Sequence, residues 1–186
     1  MLELIKPTLQ YQQAHLTGLR ALYAQNPIME GTLISDETGD GIIPIELPHR
    51  DFMTYLKILA DVEKGLGLPE GWVPSSHYWL VNGVDFLGHI QLAHSLEHPF
   101  LRDYGGHISY AVVPQYRGLG YGTAMLKLVL PHAQALGLTR VLVTCRVSNL
   151  PSRRMIEKLG GQYEQTVMCG EAEIARYWLS LEGDQA

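Results

Sequence analysis

Apolar and polar positions along this chain follow two rhythms, and the switches between them mark out the elements. Leu2 to Ile5 reads as a short strand. Gln10 to Gln25 carries Leu16, Leu19, Leu22 and Tyr23 at the three-and-four spacing of one helical face. Asn26 to Pro48 is rich in glycine, aspartate and proline and reads as a long loop, a length that usually marks a functional or mobile segment. Asp51 stands where an N-cap belongs, ahead of a helix from Phe52 to about Leu66 with Phe52, Tyr55, Leu56 and Leu59 inward.

The rhythm then changes. His77 to Val81 and Val84 to Leu92 are strand-like runs joined at Asn82-Gly83, a hairpin signal. After a loop from Ala93 to Gly106, His107 to Val113 reads as a strand. Thr123 to Leu136 has a helical apolar face of Met125, Leu126, Val129, Leu130, Ala133 and Leu136. Pro131 inside it predicts a kink or a break, and Gly137 an end. Val141 to Val147 is apolar on both faces, as a buried parallel strand requires. Pro151 to Leu159 reads as a short helix stopped by Gly160-Gly161. Tyr163 to Met168 and Ile174 to Leu181 read as closing strands. The sum is an α/β fold with antiparallel pairing early and a parallel crossover in the middle.

Composition narrows the class. The 186 residues suit one domain, with 46% hydrophobic and 18% charged residues. A formal net charge of −5 disfavours a nucleic-acid partner, which needs a basic face. The N-terminus shows no signal-peptide pattern, and no apolar run is long enough for a bilayer. Cys145 and Cys169 are the two cysteines and have no metal-type spacing, so a reducing cytoplasm is expected.

Between the strand ending at Val113 and the helix beginning near Thr123 lies Pro114-Gln115-Tyr116-Arg117-Gly118-Leu119-Gly120-Tyr121-Gly122. Strand, glycine loop and helix together make an anion cradle. The first helical N–H groups lack internal partners, and they sit at the positive end of the helix dipole. Three readings are open. The loop is a simple tight turn, a dinucleotide fold or a pyrophosphate cradle of another kind. The dinucleotide reading fits poorly. The third glycine comes one position early for G-x-G-x-x-G, and no acidic residue stands at the tip of the next strand.

Arg117-x-x-Gly120-x-Gly122 resembles the R/Q-x-x-G-x-G/A signature of the GCN5-related N-acetyltransferase (GNAT) superfamily. The preceding Val-Val-Pro, the strand Val141 to Val147, Asn149 and the helix ending Glu157-Lys158-Leu159-Gly160-Gly161 follow in that family's order, from about Tyr78 to Tyr163. Gly105 to Tyr110 and Cys145 to Asn149 are similar to a bacterial group of predicted acetyltransferases with undefined substrates. The resemblance implies a mixed, mostly antiparallel central sheet with one splayed parallel pair, flanked by helices. It implies a single domain over 1–186, variable over 1–75, with the hairpin, cofactor-binding core and closing strands in 76–186. The implied reaction moves an acetyl group from acetyl-CoA to a primary amine of a small molecule or peptide by direct attack. No metal, nucleic acid or membrane is expected from the spacing, charge and hydropathy of the chain, and a homodimer is common in such families. A non-catalytic CoA-binding or sensor module of the same fold is the alternative.

By this resemblance, Ala111, Val112 and Val113 meet the pantetheine arm through backbone, with an N–H near Val112 on the thioester carbonyl. Gly118, Leu119, Gly120, Tyr121, Gly122 and Thr123 take the pyrophosphate, with Arg117 nearby. Asn149 hydrogen-bonds the cofactor, caps the next helix, or does both. Ser152 starts the helix flanking the thiol end.

The chain departs from the family where many relatives have a tyrosine acid, for Ile156 stands there. Tyr110, Tyr116 and Tyr121 lie near in sequence, and Tyr110 is the candidate carried forward. Some relatives place a glutamate base at about Gly106, whose neighbour is His107. His107 is therefore either a base or a structural hydrogen-bonder. His89, His94 and Glu97 are further candidates. His89, His94 and His98 do not make a convincing metal cluster, because Pro99 argues against a helix there. Cys145, in an apolar run, reads as a core thiol rather than a nucleophile.

Overall fold

The computed structural model describes residues 1–25, 32–35, 41–44 and 46–181. The strands are β1 (Leu2–Ile5), β2 (Thr32–Ser35), β3 (Gly41–Pro44), β4 (Ser75–Asn82), β5 (Asp85–Ala93), β6 (Ile108–Val112), β7 (Arg140–Arg146), β8 (Gln162–Cys169) and β9 (Ala172–Ser180). The helices are α1 (Gln12–Gln25), α2 (Leu47–Arg50), α3 (Phe52–Glu63), α4 (Tyr121–Ala135) and α5 (Leu150–Lys158).

Seven strands form one sheet in the order β1-β4-β5-β6-β7-β9-β8. Every neighbouring pair in it is antiparallel except β6 and β7, which are parallel. The expected mixed sheet with one parallel pair is therefore present. The Asn82-Gly83 hairpin forms as expected, with Gly83 at φ +62°, a region that favours glycine.

The sheet divides the core into two layers. On one face α4 and α5 bury Met125, Leu126, Val129, Met155 and Ile156 against Leu80, Ile90, Ile108, Val141 and Val143. On the other, Phe52, Tyr55 and Leu59 of α3, with Ala14 and Leu16 of α1, pack on Trp79, Val81, Phe86 and Val113. These are the period-two and period-3.6 positions of the sequence, each facing its own layer.

Three expectations need correction. The stretch 26–48 is not one loop, since β2 and β3 pair as a short antiparallel ribbon and α2 follows. Its remaining residues 26–31, 36–40 and 45 lie outside the described residues. Two four-residue strands among Gly, Asp and Pro are too short to show a periodicity. Second, α3 stops at Glu63, with Lys64 as its C-cap and Gly65 at φ +74°. Third, α4 runs unbroken through Pro131. The carbonyl that Pro131 leaves without an N–H belongs to Lys127, and both residues are exposed, so water can take it.

Candidate functional site

The parallel pair is joined by a single register match, Ile108 to Val143. Beyond it β6 continues to Val112 and β7 to Arg146 with no further pairing, so the two strands part toward their C-terminal ends. The Val113 N–H donates to the Leu87 carbonyl at 2.9 Å, toward β5. Strand alternation then turns the N–H and C=O of Val112 and Tyr110 into the gap. Exposed backbone amides on one wall of a widening slot are what an extended, amide-bearing chain can pair with. Arg117 closes the upper end, its Nε donating to the Val112 carbonyl at 3.1 Å.

Close approach of β5 holds this wall in place. Gly88 lies opposite Val112, and a Cβ there would run into the Ala111 carbonyl oxygen. At the foot of the gap Gly106, at φ +74°, lies against β7, where a Cβ would sit 2.6 Å from the Leu142 carbonyl oxygen. No side chain fits here, so a glutamate at this position is excluded by packing.

The glycine loop follows directly. Gly118 and Gly120 have φ of +77° and +83°, and a Cβ on either would meet nothing within 4 Å. Gly120 is the N-cap of α4, and its carbonyl accepts from the Ala124 N–H at 3.0 Å. Gly122 lies in the first turn, where a Cβ would approach Met155 Sδ to 3.3 Å. The missing side chains thus leave open space over the loop and let α4 begin close to β6 and α5. Backbone N–H groups at a helix start with open space above them fit a diphosphate.

Across the gap, Asn149 caps α5, its Oδ1 accepting from the Ser152 N–H at 3.2 Å. Ser152 is buried, and its Oγ lies 2.6 Å from the Tyr110 hydroxyl. Burial pushes the Tyr110 pKa up, more than the bond to Ser152 lowers it, so the phenol keeps its proton at neutral pH. Cys145 on β7 is half-buried near Ser152, and burial raises its thiol pKa as well. A protonated, partly covered thiol is a poor nucleophile. The Tyr177 hydroxyl accepts from Arg153 Nε and donates to Glu157 Oε1, each at 3.0 Å, fixing α5 to β9.

His107 and Ile156 are both core residues. The His107 ring is 6% exposed, and its Nδ1 accepts the Leu142 N–H at 2.9 Å. That bond leaves the proton of the neutral ring on Nε2. Burial lowers its pKa to about 4. Ile156 is fully buried, with Gly161 packed against it. Tyr116 and Tyr121 stand with ring centroids 6.3 Å apart beside the glycine loop. No group of three or more His, Cys, Asp or Glu side chains among the described residues is placed to hold a metal. No helix among them is long and apolar enough to cross a membrane.

A parallel pair parted above one contact, with a glycine-cradled helix start beside it, fits an extended, amide-bearing cofactor that ends in a diphosphate. Residues 49–161, more than half of the chain, match the acetyltransferase (GNAT) family model, and the chain belongs to that family. It is an acetyl-CoA-dependent acyltransferase.

Among curated proteins none matches in sequence. Solved structures show the same fold at low identity. RimL, a ribosomal L7/L12 α-N-protein acetyltransferase in complex with coenzyme A, aligns at TM-score 0.66 and 15% identity, over 96% of this chain and 93% of its own. The microcin C7 self-immunity acetyltransferase MccE, in complex with acetyl-CoA and AMP, aligns at 0.62 and 15%, over 96% and 92%. The spermidine/spermine N-acetyltransferase SpeG from Vibrio cholerae, in mutant forms, aligns at 0.58 and 12%, over 97% and 95%.

Proposed function

We propose that this single-domain enzyme works in the cytoplasm and acetylates a primary amine of a small molecule or peptide by direct attack. The observation that carries the reading is the gap itself. The backbone groups of Tyr110 and Val112 face into it, the α4 N-terminus opens beside it, and Tyr110 with Ser152 spans it. Acetyl-CoA supplies an activated thioester. Ala111 to Val113 are assigned to its amide-bearing arm, the N–H groups of Gly118 to Thr123 to its diphosphate, with Arg117 and Asn149 at the two rims. The N–H of Val112 faces the thioester carbonyl and steadies negative charge on its oxygen.

Tyr110 is assigned the proton donor to the departing sulfur. Its phenol is held protonated and is tied to the Ser152 hydroxyl. His107 is assigned a structural role, because the lone pair a base needs already accepts the Leu142 N–H. An amine acceptor agrees with the acceptors of RimL, a protein α-amine, and SpeG, a polyamine.

Release of free thiol from acetyl-CoA tests the reading, with spermidine, amino-acid amides and short peptides with free α-amines as acceptors. At least one amine should raise thiol release tenfold or more above hydrolysis. A protein that acetyl-CoA stabilises against heat while no amine raises thiol release would instead be a CoA-binding module.

A further inference from the structure

The sheet face opposite α4 and α5 carries a polar row that the cofactor site does not use. In the β4–β5 ladder Trp79 lies opposite His89, and His77 opposite Gln91. In the β5–β6 ladder His89 lies opposite Ala111, and Gln91 opposite Ser109. Trp79 belongs to the α1/α3 layer and stacks on His15 at 4.2 Å between centroids. Directly opposed residues share a face, as do residues two apart, so His77, His89, Gln91 and Ser109 all point to that layer. The row ends at β6, the first wall of the gap.

Of the eight histidines, seven are committed elsewhere or lie off this row. His107 Nδ1 accepts from Leu142, and His94 Nε2 pairs with Ser76 Oγ at 2.9 Å. His77 Nε2 meets Ser75 Oγ at 3.3 Å, and Ser75 accepts from Gln91 Nε2 at 3.1 Å. His15 is 1% exposed and sealed among Phe52, Tyr55, Trp79 and Phe86, with neither ring nitrogen bonded. The His132 ring lies tilted against Tyr78 on the far side of the sheet, and His98 meets Trp72. His49 belongs to α2, off the sheet. His89 makes no hydrogen bond among the described residues, keeps part of its surface accessible, and stands one strand from the gap.

The approach to the gap differs between the two faces. On one, α4 and α5 cover it and the Tyr110–Ser152 bond crosses it. The other face is closed by α1 and α3 over Trp79, Phe86 and Val113, but Ser109 is exposed and His89, Gln91 and Ala111 are half-buried, which leaves an approach over β5 and β6. We infer that the acceptor amine docks there above His89, Gln91 and Ser109, and that His89 takes the proton from its nitrogen. This assignment rests on the acetyl-transfer reading above.

The amine lone pair forms the C–N bond, and the N–H proton passes to a ring nitrogen of His89. The C–S bond breaks with its electron pair on sulfur, which takes a proton from the Tyr110–Ser152 pair. Solvent then restores both residues. Protein packed around the His89 ring lowers its pKa to about 4, so it is unprotonated at neutral pH. It suits the removal of a proton from a nitrogen made acidic by attack, rather than from a free ammonium. The titratable groups gathered on this face are His15 and Tyr23 of α1, His49 of α2, Tyr55 of α3 and His77 of β4, with Lys6 and Glu63 acting on His77.

Bromoacetyl-CoA tests the assignment without knowledge of the acceptor. It carries an electrophilic carbon at the acetyl position. A nucleophilic imidazole facing that carbon displaces bromide, forms a C–N bond and gives its N–H proton to solvent. Peptide mass mapping should find the adduct on His89, suppressed at least tenfold by excess acetyl-CoA. His77→Gln should label like the wild type. His89→Gln should lose the adduct while acetyl-CoA still raises its melting temperature. An adduct on Cys145 or His107 instead overturns the role of His89, as does no adduct on a protein that acetyl-CoA stabilises. A protein that neither acetyl-CoA nor CoA stabilises overturns the acetyl-transfer reading itself.

Discussion

The Tyr110 hydroxyl and the Ser152 Oγ are 2.6 Å apart, although 42 residues separate them in sequence. Their bond ties the first strand of the parted pair to the helix that follows the second. Any chain lying in the gap passes beside it. A proton donor at this spot needs no tyrosine on α5, where Ile156 fills the core instead.

Tyr110→Phe removes the hydroxyl and leaves the ring packing intact. With an accepted amine, kcat should fall about 10- to 100-fold, within or just below the usual range for general acid catalysis. The KM for acetyl-CoA should stay within threefold. Ser152→Ala should give a smaller loss in the same direction. An unchanged kcat for Tyr110→Phe would remove Tyr110 from the proton path.

Gly120→Asp places a side chain and a negative charge in open space over the α4 N-terminus. The position has φ +83°, so any side chain there is strained by about 1–3 kcal/mol. Gly120→Ala carries the strain without the charge and serves as its control. Both variants should fold with lower melting temperatures, but Gly120→Asp alone should bind acetyl-CoA at least 100-fold more weakly by calorimetry. Equal affinities for the two would move the diphosphate elsewhere.

Gly88→Ala tests the wall of the gap. Its Cβ would meet the Ala111 carbonyl oxygen, so β6 must shift or the ladder must loosen. The expected cost is about 1–3 kcal/mol, as for overpacking of a core, together with a raised KM for acetyl-CoA. Urea denaturation and steady-state kinetics measure the two effects. A variant as stable and active as the wild type would show that β5 does not set the position of β6.

His107 makes stability depend on pH. Its pKa is about 4 in the folded protein, against 6.5 for an ordinary histidine. Below about 6.5 the unfolded chain takes up a proton that the folded one refuses. Stability is therefore full above 6.5 and falls as pH drops toward 4, by up to about 1.4 kcal/mol per pH unit for this ring. His77 and His89 act in the same direction. Denaturant unfolding from pH 7.5 to 5 should show this slope, and His107→Gln should be less stable at pH 7.5 but show a shallower slope. A wild-type stability that is flat or rises on acidification would contradict the buried neutral ring.

What could be read from sequence was what depends on near neighbours along the chain. Asn82-Gly83 announced its hairpin, Val141 to Val147 its buried strand, and the glycine loop its helix start. The fold class followed from their order. The role of His107 was not legible, because it is set by a backbone N–H 35 residues away. Nor was the standing of His89, which depends on what every other histidine is bonded to. Arg176 shows the same limit. It is 7% exposed and holds Glu164 at 2.7 Å and the carbonyls of Arg102 and Asp103 at 2.7 and 2.6 Å. The segment before β6 is thereby pinned to β9. No local pattern marks an arginine for such a task, since its partners come from two distant parts of the chain.

Amide hydrogen exchange with and without acetyl-CoA is the most direct measure of where the cofactor lies. Saturating acetyl-CoA should slow exchange at Tyr110 and Val112, and across Gly118 to Thr123, at least tenfold. The β1–β4 ladder should be unaffected. Binding that leaves both segments unchanged, while protecting amides elsewhere, would contradict the placement of acetyl-CoA between β6 and β7.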